Sequence, residues 1–278
     1  MRLAAVLAAA LAVSSAAAAP PPRVASLHLC ADQLVLALAD RDQIASVTFL
    51  AAEPAASPMA DAARGVPVNH GKAEEILALH PDLVLAGPFS ARATVGMLRG
   101  LRLRVVDLPY TTNFDAIRAQ IGEVAALLGH SERGARLIAE MDARLAALAP
   151  PPGPRPTAVL FQPGGFTARP GSLEDAAIAA AGFDNLAAVR GLWPHTDRAG
   201  SGRIALETLV ASAPDVLILG GDADRLPAEQ IRLLAHPALR DMPSKVIRIP
   251  ARLWNCGGWF TADAVAMLAA ARPVADLR

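Results

Sequence analysis

One stretch of this chain occurs twice, and the recurrence restricts the folds that the chain can adopt. Residues 74–87, with the sequence EEILALHPDLVLAG, return as residues 207–220, with the sequence ETLVASAPDVLILG. Each copy predicts a short amphipathic helix that ends at Pro-Asp, because the residue before a proline disfavours helical geometry. The apolar run that follows is typical of a strand buried on both faces. The repeat therefore predicts two similar α/β halves.

Strand and helix patterns alternate in both halves. The helical patterns outside the repeat cover residues 32–39, 91–99, 172–181, 227–234 and 261–271. Strand patterns cover residues 23–27, 44–49, 83–86, 103–108, 158–162, 216–219 and 245–249. Alternation of this kind predicts parallel sheets with right-handed crossovers, and a long loop is expected over residues 185–203.

Two helical patterns, at residues 114–128 and 131–148, follow one another without a strand between them. The second begins at Ser131, a good helix-capping residue, and ends before the proline-rich residues 149–154. The expected fold class is α/β, with two Rossmann-like lobes that have central parallel sheets and are joined by one long α-helix. The expected domains are a lobe at residues 20–130, a connecting helix at 131–149 and a lobe at 150–278.

Residues 1–19 have the composition of a secretory signal peptide. A basic Met1-Arg2 start precedes a short apolar stretch and small residues up to Ala19, after which cleavage is expected. An uncleaved anchor or a buried first helix is the alternative. The mature protein is expected to be soluble and monomeric in the periplasm.

The charge balance argues against several classes of partner, and the absence of common catalytic motifs argues against several classes of enzyme. The 26 basic and 26 acidic residues give zero net charge, so nucleic acid and anionic membranes are not expected as partners. The G-x-S-x-G, G-x-x-x-x-G-K-[ST] and H-E-x-x-H motifs are absent from the sequence. We therefore expect no enzyme; a secreted hydrolase with Cys30 as nucleophile is the alternative.

Several short motifs, taken in order, carry a family resemblance. They are RVASL at residues 23–27, NHGKAE at 69–74, PDLV at 81–84, the helical residues 131–148 and PDVL at 214–217. With them the chain resembles the periplasmic substrate-binding proteins of ABC importers that handle vitamin B12, iron siderophores and haem. The resemblance implies a carrier without a cofactor of its own, which delivers a small-molecule metal chelate to an ABC permease in the inner membrane. A stiff connecting helix implies that lobe closure is small.

The resemblance also assigns roles to two glutamates. In this family one glutamate on each lobe docks against arginines of the permease, and Glu74 and Glu207 match those positions. Such a pair could fix orientation and speed encounter. The alternative is an ordinary solvated glutamate in the first turn of each helix, favoured by the helix dipole, and Glu75 is a neighbour that could make the contact instead.

Candidate ligand contacts lie in the loops that follow the strands, because open parallel sheets bind ligands beyond their carboxyl ends. These candidates are His28, Cys30, Asp32, Phe89, Tyr110, Gln162, Phe166, Trp193, Arg252, Trp254, Cys256 and Trp259. Aromatic walls suit a corrinoid, a haem or a ferric siderophore, and Gln162, Asn255 or Arg252 could hold a polar rim. A corrinoid such as cobalamin is the first expectation, with a ferric siderophore or haem as the alternative.

The two cysteines leave three possibilities open. Cys30 and Cys256 could be buried small residues, contact the ligand, or form a disulfide across the cleft. His28 and His195 could ligate a metal, but no short His, Cys or Asp spacing predicts a dedicated metal site.

Overall fold

Two parallel β-sheets organise the protein. The computed structural model describes residues 19–192, 202–221 and 232–273. The first sheet has the order β3-β2-β1-β4-β5 and all of its strand pairs are parallel. Its strands are β1 (Val24–Ser26), β2 (Ile44–Thr48), β3 (Val68–Asn69), β4 (Leu83–Ala86) and β5 (Val105–Asp107). The helices of this part are α1 (Leu29–Leu38), α2 (Ala73–Ala78), α3 (Arg92–Gly100) and α4 (Phe114–Leu128).

The second sheet is also parallel and follows helix α5 (Ser131–Ala147). Its strands are β6 (Thr157–Phe161), β7 (Asp184–Asn185), β8 (Val216–Gly220) and β9 (Lys245–Ile249), in the order β7-β6-β8-β9. Its helices are α6 (Leu173–Ala180), α7 (Leu186–Arg190), α8 (Leu206–Ser212), α9 (Pro237–Arg240) and α10 (Thr261–Ala269). The predicted fold class, two parallel-sheet α/β lobes, is confirmed.

The sequence repeat is also a structural repeat. Helix α2 leads into β4, which pairs with β1, and helix α8 leads into β8, which pairs with β6. The residues before the two prolines, His80 and Ala213, both have positive φ, at 46° and 44°. The two copies therefore share an unusual backbone conformation, which non-glycine residues rarely adopt.

Helices α4 and α5 form a tight antiparallel pair that leads from one lobe to the other. The side chain of Asn113 caps α4 by accepting from Ala116 N at 2.8 Å, and Gly129 ends it in a left-handed conformation with φ 84°. A Cβ at Gly134 would lie 2.4 Å from that of Ala125, so only glycine permits this approach. The exact domain boundaries within this region stay a prediction.

The largest buried hydrophobic cluster of the described residues spans both lobes, and each lobe also has a smaller cluster of its own. A single cluster of buried residues runs from Leu34 and Ile117 in the first lobe through Met141 of α5 to Leu160 and Val265 in the second. Such a continuous cluster resists separation of the lobes, because separation would expose apolar surface to water.

The region after β6 differs from the sequence-based expectation. Residues 185–203 were expected to form one long loop, yet β7 and α7 occupy its start. Asn185 ends β7 and caps α7 by accepting from Ala188 N, and Gly191 ends the helix with φ 59°. A helix of this length covers too few turns to show a periodic pattern. Residues 193–201 and most of the predicted helix at 227–234 lie outside the described residues.

Within the part of the chain that the structure describes, no helix combines the length and the apolar composition that crossing a bilayer requires.

Candidate ligand-binding cleft

A cavity of about 580 Å³ lies between the two lobes, at the carboxyl ends of the strands. It is of the size at which small-molecule sites are usually found. Its lining residues are Leu27, His28, Leu29, Cys30, Thr48, Phe49, Leu50, His70, Gly71, Phe89, Ser90, Ala91, Tyr110, Gln162, Glu174, Asn255 and Cys256.

The first lobe contributes a wall of exposed rings. Phe89 is 75% exposed, and its ring stacks on that of His28 with the ring centres 5.6 Å apart. The ring of Tyr110 is perpendicular to that of Phe89, with the ring centres 6.5 Å apart. Farther along the wall, the rings of Phe49 and His70 stack at 5.4 Å. Grouped, exposed aromatic rings mark a binding surface, because isolated soluble proteins rarely leave them uncovered.

A buried carboxyl holds one end of this aromatic wall. Thr48 N donates to Asp32 Oδ1 at 2.9 Å, and the Thr48 hydroxyl donates to the other oxygen. Asp32 is fully buried, and burial raises its pKa to about 7, against the opposing hydrogen bonds from Ser26 and Thr48. The bonds fix the end of β2, which places Phe49 at the cavity.

The two cavity histidines are held differently. His28 packs against Gly87, where an added Cβ would lie only 2.8 Å from Nδ1. Burial lowers the pKa of His28, which favours its neutral imidazole. The second histidine, His70, is held by Glu75. The backbone N of His70 donates to Glu75 Oε2 at 2.6 Å, and the ring Nδ1 of His70 lies 3.3 Å from Glu75 Oε1. The hydrogen bond from the His70 backbone is the main cause that lowers the pKa of Glu75.

The second lobe contributes a polar wall. Gln162 follows β6, Glu174 lies in the first turn of α6, and Asn255 precedes Cys256. A Cβ at Gly220 would lie 2.7 Å from Gln162 Cγ, so the glycine that ends β8 makes room for this side chain. The pKa of Tyr110 is raised by burial first and by Glu174 second, so the second-lobe carboxylate acts across the cleft.

A disulfide between Cys30 and Cys256 joins the two walls. Their Cα atoms are 5.2 Å apart, and both residues line the cavity. Of the three possibilities that the sequence left open for the cysteines, the structure has the bridge. Close packing accompanies it, since a Cβ at Gly257 would lie 2.8 Å from Thr111 Cβ on the first lobe.

Outside the cleft, Glu74 and Glu207 occupy equivalent positions on the two lobes. Each lies in the first turn of its helix, α2 or α8, and each is exposed. Among the residues at 19–192, 202–221 and 232–273, neither carboxylate has a hydrogen-bond or ion-pair partner. Glu75, by contrast, is bonded to His70, so the exposed pair is better placed to meet another protein.

The model of the family described as Periplasmic binding protein matches residues 24–251. The chain belongs to this family.

Curated relatives and solved structures agree with the family. A cobalamin-binding protein of Halobacterium salinarum is 32% identical over 231 residues, which are 81% of this chain and 59% of that protein. The chain thus spans less than two thirds of the length of this relative. The periplasmic heme-binding protein RhuT of Roseiflexus sp. RS-1 is 25% identical, with a TM-score of 0.68 over 90% of this chain and 98% of that one. The periplasmic vitamin B12 binding protein BtuF of Vibrio cholerae is 18% identical and shares the fold, with a TM-score of 0.62 over 90% and 96% of the two chains.

Half of the predicted contact residues surround the cavity of this periplasmic binding protein. His28, Cys30, Phe89, Tyr110, Gln162 and Cys256 all line it. That they contact a ligand stays a prediction.

Three other predicted contacts do not line the cavity, and for the buried Asp32 and Trp254 the placement in the cleft wall was wrong. Asp32 points into the core and binds Thr48 instead of facing the cavity. Trp254 is fully buried, because the 3-10 turn Ala251–Leu253 directs its indole into the shared core. Trp259 packs edge-on against Phe260 and the same core.

Two further candidates stand apart from the cavity lining. Phe166 lies beneath the guanidinium of Arg203, 4.6 Å from the ring centre, and this contact takes up its ring face. Arg252 is half-buried in the 3-10 turn and does not line the cavity. Trp193 and His195 lie outside the described residues.

Phe49, His70 and Glu174 line the cavity but were not among the ligand contacts predicted from the sequence. Phe49 and His70 directly follow β2 and β3, so a consistent search of every post-strand loop would have found both. Glu174 lies one turn into a helix and had no such signal. Among the described residues, no group of three or more His, Cys, Asp or Glu side chains is arranged to hold a metal ion.

Proposed function

We propose that this chain captures a corrinoid in the cleft between its lobes and delivers it to a membrane permease of an ABC importer. The observation that carries the proposal is the difference between the two cavity walls. Aromatic rings line the first-lobe side of the cavity. The side-chain amides of Gln162 and Asn255 and the carboxylate of Glu174 line the second-lobe side.

A corrinoid matches both walls. Its macrocycle is a broad, flat surface, which can stack on rings such as Phe89 and Phe49. Its periphery carries amide groups, which can exchange hydrogen bonds with Gln162, Asn255 and Glu174. Few polar groups on a mostly apolar cavity are enough to orient a bound ligand. The 32% identity to a cobalamin-binding protein supports this choice. The identity applies to the 59% of that relative that the chain spans.

A haem is the second candidate, with a ferric siderophore as a further member of the same class. The imidazoles of His28 and His70 line the cavity, and neutral imidazole is a good ligand for iron. The 25% identity to a heme-binding protein supports it as well.

Delivery would use the outer faces of both lobes. The exposed carboxylates of Glu74 and Glu207 would meet cationic side chains of the permease, one on each lobe. Complementary charges of this kind raise the rate of encounter and select the orientation. The chain would act in the periplasm after removal of residues 1–19.

The test is a calorimetric and spectroscopic titration of the purified chain from residue 20 onward. Cyanocobalamin, dicyanocobinamide, haem and a panel of ferric siderophores would be added in separate experiments. One-to-one binding of the corrinoids, tighter than that of the other chelates, is expected. Tighter binding of haem with a shifted Soret band would replace the corrinoid by the second candidate. Absence of binding by every chelate would overturn the proposal.

A further inference from the structure

Glu174 gives the cleft a particular charge. Among the lining residues that the structure describes, it is the one acidic side chain, and lysine and arginine are absent from that set. A ligand in this cavity therefore meets a carboxylate and no fixed cation from these residues.

Glu174 lies in the first turn of a capped helix. Its helix α6 begins after Ser172, whose hydroxyl accepts from Asp175 N at 3.2 Å. A carboxylate in the first turn is stabilised by the partial positive charge of the helix N-terminus. Within the described ranges, no hydrogen bond or ion pair engages the Glu174 carboxylate, so its oxygens are available to a ligand.

The carboxylate is directed at the cleft and not away from it. Glu174 is half-buried, lines the cavity and raises the pKa of Tyr110 on the opposite lobe. Arg169 has a weaker and opposite effect on the Tyr110 pKa, but it is exposed and does not line the cavity.

We propose that Glu174 determines ligand specificity by charge, so that the cleft accepts chelates with an amide or ester periphery and disfavours those with free carboxylates. The inference rests on the proposed function, because it assumes that the cleft holds a chelate. An amide N–H can donate to the Glu174 carboxylate. A ligand carboxylate at the same place would be repelled and would lose its hydration without gaining a partner.

The expected effect is moderate because the cavity is open to solvent on one side. Each ligand carboxylate near Glu174 should weaken binding about tenfold, a typical size for one like-charge contact in a partly desolvated site. Higher ionic strength should reduce the difference.

The experiment uses ligand pairs that differ in charge but little in shape. Haem is compared with haem dimethyl ester, and cyanocobalamin with a monocarboxylic acid derivative in which one side-chain amide is hydrolysed. Dissociation constants are measured by tryptophan-fluorescence quenching for the native chain, for Glu174→Gln and for Glu174→Lys. The control is Glu140→Gln, which removes an exposed carboxylate on α5 and so changes the net charge equally, away from the cavity.

The native chain and Glu140→Gln should bind the uncharged member of each pair about tenfold more tightly. Glu174→Gln should remove most of this preference, and Glu174→Lys should reverse it. An unchanged ratio in Glu174→Gln, or a native preference for the carboxylates, would overturn the charge selection. If the corrinoids do not bind but the haem pair does, the corrinoid proposal fails while the haem pair still decides the role of Glu174. Failure of all four ligands to bind would overturn both.

Discussion

Cys30 and Cys256 are bonded across the cleft, with Cα atoms 5.2 Å apart and a sequence separation of 226 residues. Cys30 lies in the first turn of α1, after the first strand, and Cys256 follows the last strand. Because both line the cavity, the bond sets an upper limit on how far the two walls can move apart.

Loss of the disulfide should destabilise the protein strongly. The paired change Cys30→Ser with Cys256→Ser should lower the free energy of unfolding by about 2 to 5 kcal/mol, since the bond closes a very long loop. Urea denaturation of both proteins, with and without a reductant, measures this. The reductant should affect only the native chain; equal stability of the oxidised and reduced native chain would contradict the expectation.

Asp32 should make stability depend on pH. Its folded pKa of about 7 lies above the ordinary aspartate pKa of 3.8, so between these values the folded state holds a proton that the unfolded state releases. The contribution is therefore present below about pH 4 and is lost as the pH rises to about 7, by at most about 1.4 kcal/mol per pH unit. Asp32→Asn should flatten this part of the profile in urea denaturation between pH 4 and 8. The exposed control Asp61→Asn should leave the profile unchanged, and a native profile that rises over this range in step with Asp32→Asn would contradict the assignment.

Glu74 and Glu207 should matter for delivery and not for capture. Replacing both by alanine should leave the dissociation constant of the ligand within about twofold but slow uptake through the reconstituted permease by roughly tenfold or more. The matched control replaces two other exposed glutamates, Glu123 and Glu140, which lie on α4 and α5. Similar uptake by the two double variants would argue against docking through the repeated positions.

Ala213 should gain stability from replacement by glycine. Its φ of 44° carries a steric cost that glycine does not have, so Ala213→Gly should raise the free energy of unfolding by roughly 0.5 to 1 kcal/mol. The same replacement at Ala211, which is exposed and inside α8, should lower it by a similar amount. Thermal unfolding of the two variants gives the comparison, and the same sign for both would contradict the backbone argument.

Phe89 should contribute to affinity by stacking on the ligand. Phe89→Ala should weaken binding of the ligand found by titration about tenfold, as expected when one aromatic contact is lost. Val189→Ala removes an equally exposed apolar side chain on α7, outside the cavity lining, and should not change affinity. Unaltered affinity of Phe89→Ala would show that the aromatic wall is not the ligand surface.

The fold could be predicted from the sequence wherever a pattern extended over enough residues. The strands Leu83–Ala86 and Lys245–Ile249 and the helix Phe114–Leu128 match their predicted bounds, because apolar runs and helical periodicity identify elements of that length. The strand Asp184–Asn185, in the stretch expected to be a loop, is two residues long and exists only through pairing with a neighbour. Such pairing depends on tertiary contacts that no local pattern records.

The site could be predicted only to the level of the loop. The rule that ligands lie beyond strand ends identified the segments that carry His28, Phe89 and Gln162. It could not give the direction of each side chain, which is why Trp254 was placed in the wall although it fills the core. The direction in which a loop side chain points is determined by its packing against other segments of the chain. The sequence of the loop alone does not specify where those segments lie.

The core that the lobes share also determines how the chain can be divided. Met141 and Val265 belong to the same buried cluster as Leu34, so each half depends on the other to bury part of its apolar surface, although each also has a smaller cluster of its own. A cut in the proline-rich segment 149–154 would leave two fragments, each with a large apolar face open to water. The fragments should be insoluble when produced separately and should recover solubility only when they are folded together. The two lobes therefore resemble each other in sequence and fold but bury part of their apolar surface jointly.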